Sequence, residues 1–371
     1  MPQDDASRLP SVIHLLRPAA GGMAVHVRRL AQGLTGIGVP CRLAADQATL
    51  TAVNAPGLPQ ILLEPFPGNA CFGTVPPDLV AASRDADILH AHGLRAALPA
   101  LRCARRSGIQ VVLTLHNVPG STSGAEMLVA RTLARRCCRV IAVSDAIART
   151  LRSPGRVRVV VNGVPIPECD DLPKLREISR QQLGVGPDVP LAIAAGRLAR
   201  EKGFDILLRA WAEVKSRIPA AELRIIGAGP EHGRLRRLGQ SLGADAHAIL
   251  AGPVPEASLL LSGADVVVAP SRSEGQGLTI LEAMASGVAV AASRTGGLVA
   301  SVETPRSGLL FEPGSTRSLQ EALLRLLTDA ALRRRLACNG RAAAEASYSV
   351  ERMAHDTALL YAEVQSLGRQ T

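Results

Sequence analysis

Residues 271–290, SRSEGQGLTILEAMASGVAV, decide how the rest of the chain is read. The apolar run ADVVVAP before them reads as a strand, and SRSEGQG as the bend that follows it. A helix is expected from about Leu278 to Ser286, with Gly287 as its C-terminal stop. Glu274 then precedes the helix, and Glu282 sits one turn inside it among apolar residues that offer a carboxylate nothing. Eight helical residues rise ~12 Å, a spacing that lets two carboxylates hold two parts of one long ligand. A helix cap plus a solvated glutamate would satisfy the same spacing. The amides of Gly275, Gln276 and Gly277 are expected at the helix N-terminus, where the helix dipole favours negative charge.

Outward from this stretch, short apolar runs alternate with helical patterns, the mark of parallel β/α units. SVIHLL (11–16) reads as a strand, RPAAGG as a turn, and residues 23–38 as a helix with Met23, Val27, Leu30, Leu34 and Ile37 on one face. DILHAH, VVLTLH, RVIAVS and VRVVV read as later strands. The pattern breaks at NGVPIPECDDLP (162–173), rich in proline and acid, taken as a linker. A second series follows: PLAIAAGR, ELRIIGAG, AILAGP, ADVVVAP, GVAVAAS and GLLFEP, then a helical end over 317–368. The 371 residues thus read as an α/β chain of two domains, 1–165 and 166–350. A last helix over 351–371 is expected to pack back on the first domain. Ligands of such sheets bind at the carboxyl ends of the strands, which implies a cleft between the domains.

Two further groups of residues carry chemistry. GRLAREKGFD puts Arg197 and Lys202 in a strand-to-helix turn, a planar fork and a mobile point charge suited to a diphosphate. PAAGGM places Gly21 and Gly22 between the first strand and helix, where the missing Cβ lets a ligand approach backbone. GAGPEHG imitates a dinucleotide fingerprint, but its spacing is GxGxxxG. Asp85 and Asp87 form a DxD that precedes a strand instead of ending one, so a polar strand entry is expected. His90 and His92 share a strand face; a metal site, a place in the acceptor wall and a structural role all stay open, and no Cys or carboxylate at suitable spacing completes a metal set. Seven scattered cysteines without a CxxC, no apolar run near ~18 residues and no signal-peptide pattern at the start lead to the expectation of a cytoplasmic protein.

Charge is uneven. The net charge is +10, and residues 1–165 hold 18 Arg and no Lys against 9 Asp and Glu. Residues 125–139 read as a helix with Arg131, Arg135 and Arg139 four apart, and Arg102, Arg105 and Arg106 add a second cluster. Like charges at that spacing repel, so an anionic acceptor, or peripheral contact with an anionic membrane at the inner face, is one expectation. A solvated arginine-rich face is the other.

The motifs in order, GG near the start, DILHAHG, TLHN, VSDAIARTL, VVVNGV, GRLAREKGFDILLRAWAEV, IIGAGPE and PSRSEGQGLTILEAMASGVAVAASRTGG, resemble a retaining glycosyltransferase of family 4 over nearly the whole chain. The resemblance implies a GT-B fold: two Rossmann-like parallel-sheet domains facing across a cleft, with the nucleotide-sugar donor held mainly by the second. It gives Glu282 to the ribose hydroxyls, Glu274 and His116 to the transferred sugar, Arg197 and Lys202 to the diphosphate. Gly21, Gly22, Gly275, Gln276, Gly277 and Leu278 fall to donor binding. It also implies a metal-independent hexosyltransferase without a cofactor, its acceptor a glycan, lipid or small molecule, and no nucleic-acid partner. Gln276 stands where many relatives carry an aromatic, and Ala300 where many carry Glu, so the packing or donor selectivity at Gln276 and the contact made by that Glu are expected to differ here. A GT-B epimerase and a sugar-nucleotide-binding protein without turnover are the rival readings.

Overall fold

The computed structural model describes residues 8–19, 21–64, 75–117, 124–153, 155–243, 250–252, 257–303 and 306–368. The chain divides into two compact units, Met1–Gly163 with Val350–Thr371, and Val164–Ser349. Each is a parallel sheet covered by helices.

In the first unit seven parallel strands lie in the order β3-β2-β1-β4-β5-β6-β7. They are β1 (Val12–Leu15), β2 (Cys41–Ala45), β3 (Gln60–Leu62), β4 (Ile88–His92), β5 (Gln110–Leu115), β6 (Arg139–Ala142) and β7 (Val157–Val159). A parallel sheet buries both faces, so its central strands are largely apolar and alternate in which core they feed, His14, His90, His92 and Thr114 being the buried polar exceptions. Ile13, Leu15, Leu89, Ala91 and Leu113 enter one core. Val12, Ile88 and Val112 enter the other, with helix Gly22–Gly36 and helix Val350–Gly368. The last helix contributes Met353, Ala354, Leu360, Tyr361 and Val364 to that core, so the chain's end completes the unit its beginning starts.

The second unit has six parallel strands in the order β10-β9-β8-β11-β12-β13. These are β8 (Leu191–Ala195), β9 (Glu222–Ile226), β10 (Leu250–Gly252), β11 (Val266–Ala269), β12 (Ala289–Ser293) and β13 (Gly308–Phe311). Ala192, Ala194, Val266, Val268, Ala289 and Ala291 pack on helices Phe204–Arg217 and Thr316–Thr328. Small alanines on β8 and β12 leave room for Phe204, Trp211 and Phe311 in the same core.

The helix expected over 125–139 ends earlier, at Gly124–Ala134. Arg139 instead opens β6, where its Nε and Nη2 donate to Glu363 Oε1 at 3.1 and 2.5 Å. Arg131 donates its Nε to the Thr150 carbonyl at 3.0 Å. The three arginines therefore form no stripe. The apolar pair Val140 and Ile141 is claimed by the sheet, and that claim overrides the helical spacing.

Helix Val350–Gly368 approaches helix Gly22–Gly36 most closely at Gly33, where a Cβ would lie 3.0 Å from Ala354 Cβ and 3.0 Å from Val350 Cγ1. Gly33→Leu is expected to cost about 1–3 kcal/mol by overpacking this seam. The readout is a lower urea midpoint at unchanged slope. Gly36→Ala, on the same helix with nothing within 4 Å of its Cβ position, should be neutral or stabilising.

Candidate functional site

In the second sheet, β8 continues to β9 on one side while β11 continues to β12 on the other. β8 and β11 are neighbours, so the strand order turns back between them, the kind of place where open α/β sheets take ligands. The loop after β8 carries Arg197 and the short turn Arg200–Lys202; the loop after β11 carries Glu274. The two loops touch at backbone. Gly203 has φ 66°, and a Cβ on it would stand 2.0 Å from the Pro270 carbonyl oxygen.

At this contact Lys202 Nζ lies 2.6 Å from Glu274 Oε2. Ser271 Oγ donates to the same oxygen at 3.2 Å, and the Gly275 amide donates to Oε1 at 3.2 Å. The Gly275 amide is thus engaged by Glu274 itself. Arg272 ties the loop down: its two terminal nitrogens donate to the two oxygens of Asp205 at 2.8 Å each, and Nη1 also reaches the Arg200 carbonyl at 2.8 Å. Burial works against the Asp205 carboxylate, yet the Arg272 hydrogen bonds hold its pKa below the ordinary value. Gly296, at φ 53°, passes so close that a Cβ would fall 1.8 Å from the Glu274 carbonyl oxygen. The glutamate is therefore held from both sides of its loop. Sequence reasoning missed Arg272 and Asp205; the run KGFD beside a PSRSE loop was the available signal, and only the fold brings the two together.

Helix Leu278–Ala285 begins after Gly277, at φ 82°, and Gly287 follows at φ 66°, so the expected helix and its stop are present. Glu282 is half-buried on this helix, among buried Leu281, Ala283 and Met284, and Gln276 is buried in the loop before it. Arg197 pairs with Glu201, and its side chain is 66% exposed. Glu274 and Lys202 are brought together directly; Arg197 stands on the same loop without touching either. Gly21 precedes the first helix at φ 62°, and a Cβ there meets nothing within 4 Å, so its conformation, and not crowding, requires glycine.

The first sheet has the same kind of reversal between β1 and β4. At its carboxyl edge a cavity of about 180 Å³ is lined by Arg17, Met23, His92, Arg95, His116 and Glu126, among others. Behind it lies a row of imidazoles. His14 and His90 are register partners, as are His92 and Thr114, so their side chains share a face. His14 Nδ1 is 3.0 Å from His92 Nε2, and His92 Nδ1 is 3.4 Å from His116 Nε2. His90 is engaged at both nitrogens, by Tyr361 Oη and Thr114 Oγ1 at 2.6 Å each. His26 stands edge-on to His116, ring centroids 4.6 Å apart. The Asn162 amide acts on the His26 ring, although neither ring nitrogen reaches a partner with hydrogen-bond geometry. His14 Nε2 also lacks a hydrogen-bond partner. His90 and His92 were read from their shared strand face; His14 and His26 were not, since a lone histidine in an apolar strand or helix carries no spacing signal.

Burial lowers the pKa of every one of these rings. His14 falls to about 3, with His26 adding to the effect. His26 falls to about 4, the Asn162 contact opposing burial and Arg29 reinforcing it. His90, His92 and His116 fall well below the usual value through burial first and their neighbours second. All are neutral at pH 7. Below the unfolded value of about 6.5, the unfolded chain takes up protons that the folded chain refuses. Stability is therefore complete above that pH and is lost as the pH falls toward the folded values. His14 and His26, with folded values of about 3 and 4, each cost about 1.4 kcal/mol at one unit below 6.5, and His90 and His92 add to the loss in the same direction. Thermal melts followed by circular dichroism should show a large fall in Tm between about pH 7.5 and 5.5, an interval in which ordinary carboxylates stay ionised. A level Tm there would mean that the rings are solvated in the folded protein.

Comparison with known proteins bears on the family and the fold. Residues 20–167 match the model described as Glycosyltransferase Family 4, and residues 176–343 the model described as Glycosyl transferases group 1. The chain is 28% identical, over 86% of its length and 80% of the relative's, to a D-inositol 3-phosphate glycosyltransferase of Nocardioides. A GDP-mannose-dependent phosphatidylinositol monomannoside mannosyltransferase of Mycolicibacterium smegmatis is 31% identical over 61% of this chain and 63% of its own. Among solved structures, Anabaena HepE in complex with UDP and glucose superposes with a TM-score of 0.81 at 23% identity, over 95% of this chain and 100% of that one. Two parallel-sheet units of this topology, each matched by its own module of one enzyme family, leave neither rival reading in place: the chain belongs to glycosyltransferase family 4 and is a sugar transferase of the GT-B fold.

Proposed function

We propose that the enzyme transfers a sugar from a nucleoside diphosphate donor with retention of anomeric configuration, and that the donor sits at the β8–β11 reversal. The observation that carries this reading is the Lys202–Glu274 pair at 2.6 Å, a cation and an anion held together where two loops meet. A donor separates their tasks. Lys202, with Arg197, meets the diphosphate as negative charge builds on it, which is the charge that matters for rate. Glu274 accepts hydrogen bonds from the transferred sugar and Glu282 meets the ribose, while the family resemblance gives His116 a role toward the same sugar. The bond from the sugar's anomeric carbon to the phosphate oxygen breaks, and its electron pair leaves with the diphosphate. The acceptor oxygen bonds the same carbon on the same face, and its proton passes to the departing phosphate. The two cations serve the role a metal plays elsewhere, so transfer is read as metal-independent.

Both named relatives act on acceptors that carry an inositol phosphate. Arg17 and Arg95 line the cavity beside His116, and a phosphate on a polyol acceptor suits them. Peripheral contact with an anionic membrane fits a different part of the same unit. Leu128 and Val129 are 68% and 50% exposed on helix Gly124–Ala134, and Arg135 and Arg136 are exposed just past its end. This patch replaces the arginine stripe expected from spacing.

The test is donor turnover with UDP- and GDP-sugars against phosphorylated and plain polyols, in EDTA. Glu274→Ala should lower kcat by about 100-fold or more while leaving affinity for the bare nucleoside diphosphate nearly unchanged. Glu282→Ala should weaken nucleotide binding itself. Equal loss of nucleotide affinity in both variants by calorimetry would contradict this division of labour, and complete loss of activity in EDTA restored by Mg²⁺ would contradict metal independence.

For the membrane reading, the protein should co-sediment with vesicles containing anionic lipid and not with neutral ones. Each arginine near the surface contributes about 1 kcal/mol. Leu128→Ser with Arg135→Ser should therefore reduce binding by about tenfold or more; indifference to vesicle charge leaves a soluble acceptor as the better reading.

A further inference from the structure

We propose that His26, His92 and His116 form a binding site for a zinc-class transition-metal dication, and that its occupancy blocks transfer by withdrawing His116 from the sugar. The second half of this proposal rests on the role given to His116 above; the first half does not.

One ring nitrogen from each of the three residues lies within 4.8 Å of the others. The best-defined pair, His92 Nδ1 and His116 Nε2, is 3.4 Å apart. That is long for an N–H···N hydrogen bond. It matches the roughly 3.3 Å between two imidazole nitrogens on a tetrahedral zinc, given Zn–N distances of about 2.0–2.1 Å. The far side of His92 is already arranged for ligation. Its Nε2 stands 3.0 Å from His14 Nδ1, so a His92 bound through Nδ1 can donate Nε2–H to His14. Metal-bound imidazoles are commonly oriented by such a bond on their second nitrogen. His26 supplies a ring whose nitrogens reach no partner with hydrogen-bond geometry, so the Asn162 amide is the polar neighbour a metal would compete with. His92 and His116 both line the cavity, which provides the entry path and an open fourth position. Three neutral imidazoles are a donor set that suits zinc, copper or nickel over magnesium or calcium.

A second triad, His14, His90 and His92, is equally close-packed. It is the weaker candidate because both nitrogens of His90 are bonded, to Tyr361 and Thr114 at 2.6 Å each, and all three rings are buried. Arg29 beside His26 opposes a second cation by simple repulsion. The site is therefore expected to bind reversibly and to be stripped by a chelator.

The experiment uses the full chain, freed of any tag and stripped with EDTA. Calorimetric titration with Zn²⁺, and Co²⁺ titration followed by its tetrahedral absorption, should give about one equivalent per chain. His26→Gln and His116→Asn should each weaken binding by more than about tenfold. In turnover assays Zn²⁺ should inhibit the parent enzyme, and His26→Gln, active in EDTA, should escape that inhibition. Binding unchanged in both variants overturns the site. Loss in His14→Gln with none in His26→Gln moves the metal to the other triad and overturns the assignment. Binding of one equivalent without inhibition supports the site and removes the role given to His116. Because His116 is the less buried of the two rings replaced, its variant keeps the test decisive if His26→Gln fails to fold.

Discussion

The structure depends on the reversal of strand order in each sheet. Parallel strands joined by right-handed crossovers place successive helices on one face until the order turns back, and at that point the crossovers lead to opposite faces. In the second unit the reversal lies between β8 and β11, and Lys202 and Glu274 hang there. In the first it lies between β1 and β4, with Arg17, Arg95, His92 and His116 around the cavity. No special fold feature is needed to make these sites; chain connectivity makes them, and the residues decorate them.

What keeps the second site in shape is backbone proximity more than side-chain packing. Gly203 and Gly296 each bring one loop within carbonyl contact of another, at Pro270 and Glu274. Positive φ and the missing Cβ are both used at these two positions. The Arg272–Asp205 fork then sets the loop's angle, a bidentate geometry that a lysine could not supply. Glu274 is consequently placed by three contacts that involve no ligand. On the function proposed above, such preorganisation lowers the cost of arranging the site when charge develops.

The first unit takes a different route. It puts histidines into a sheet face that apolar residues would fill more cheaply. The buried His14 Nε2 lacks a partner, and an unsatisfied polar group of this kind costs about 1–3 kcal/mol. The unit carries that cost across β1, β4 and the first helix, with Tyr361 of the last helix closing one end through His90. A polar row of this extent ending at a cavity is better explained by what reaches the cavity than by stability.

The two-unit architecture, most strands of both sheets and helix Leu278–Ala285 with its glycine stop were legible in the chain, because their apolar runs are long and bounded by glycine or proline. β2 and β3 were not: CRLAA and QIL are short, and β3 is an edge strand with exposed residues. Glu274, Arg197 and Lys202 could be picked out as candidates because charged residues in strand-to-helix turns stand out, and Glu282 because it is a carboxylate in an otherwise apolar helix. The sequence by itself thus determined which residues are available and at which strand ends. Only the tertiary structure decided that Lys202 meets Glu274 across 72 positions, that Arg197 does not, and that five histidines from β1, β4, the loop after β5 and the first helix share one interior. The reason is physical: local patterns encode burial and period, whereas partners far apart in the chain are chosen by sheet order and register.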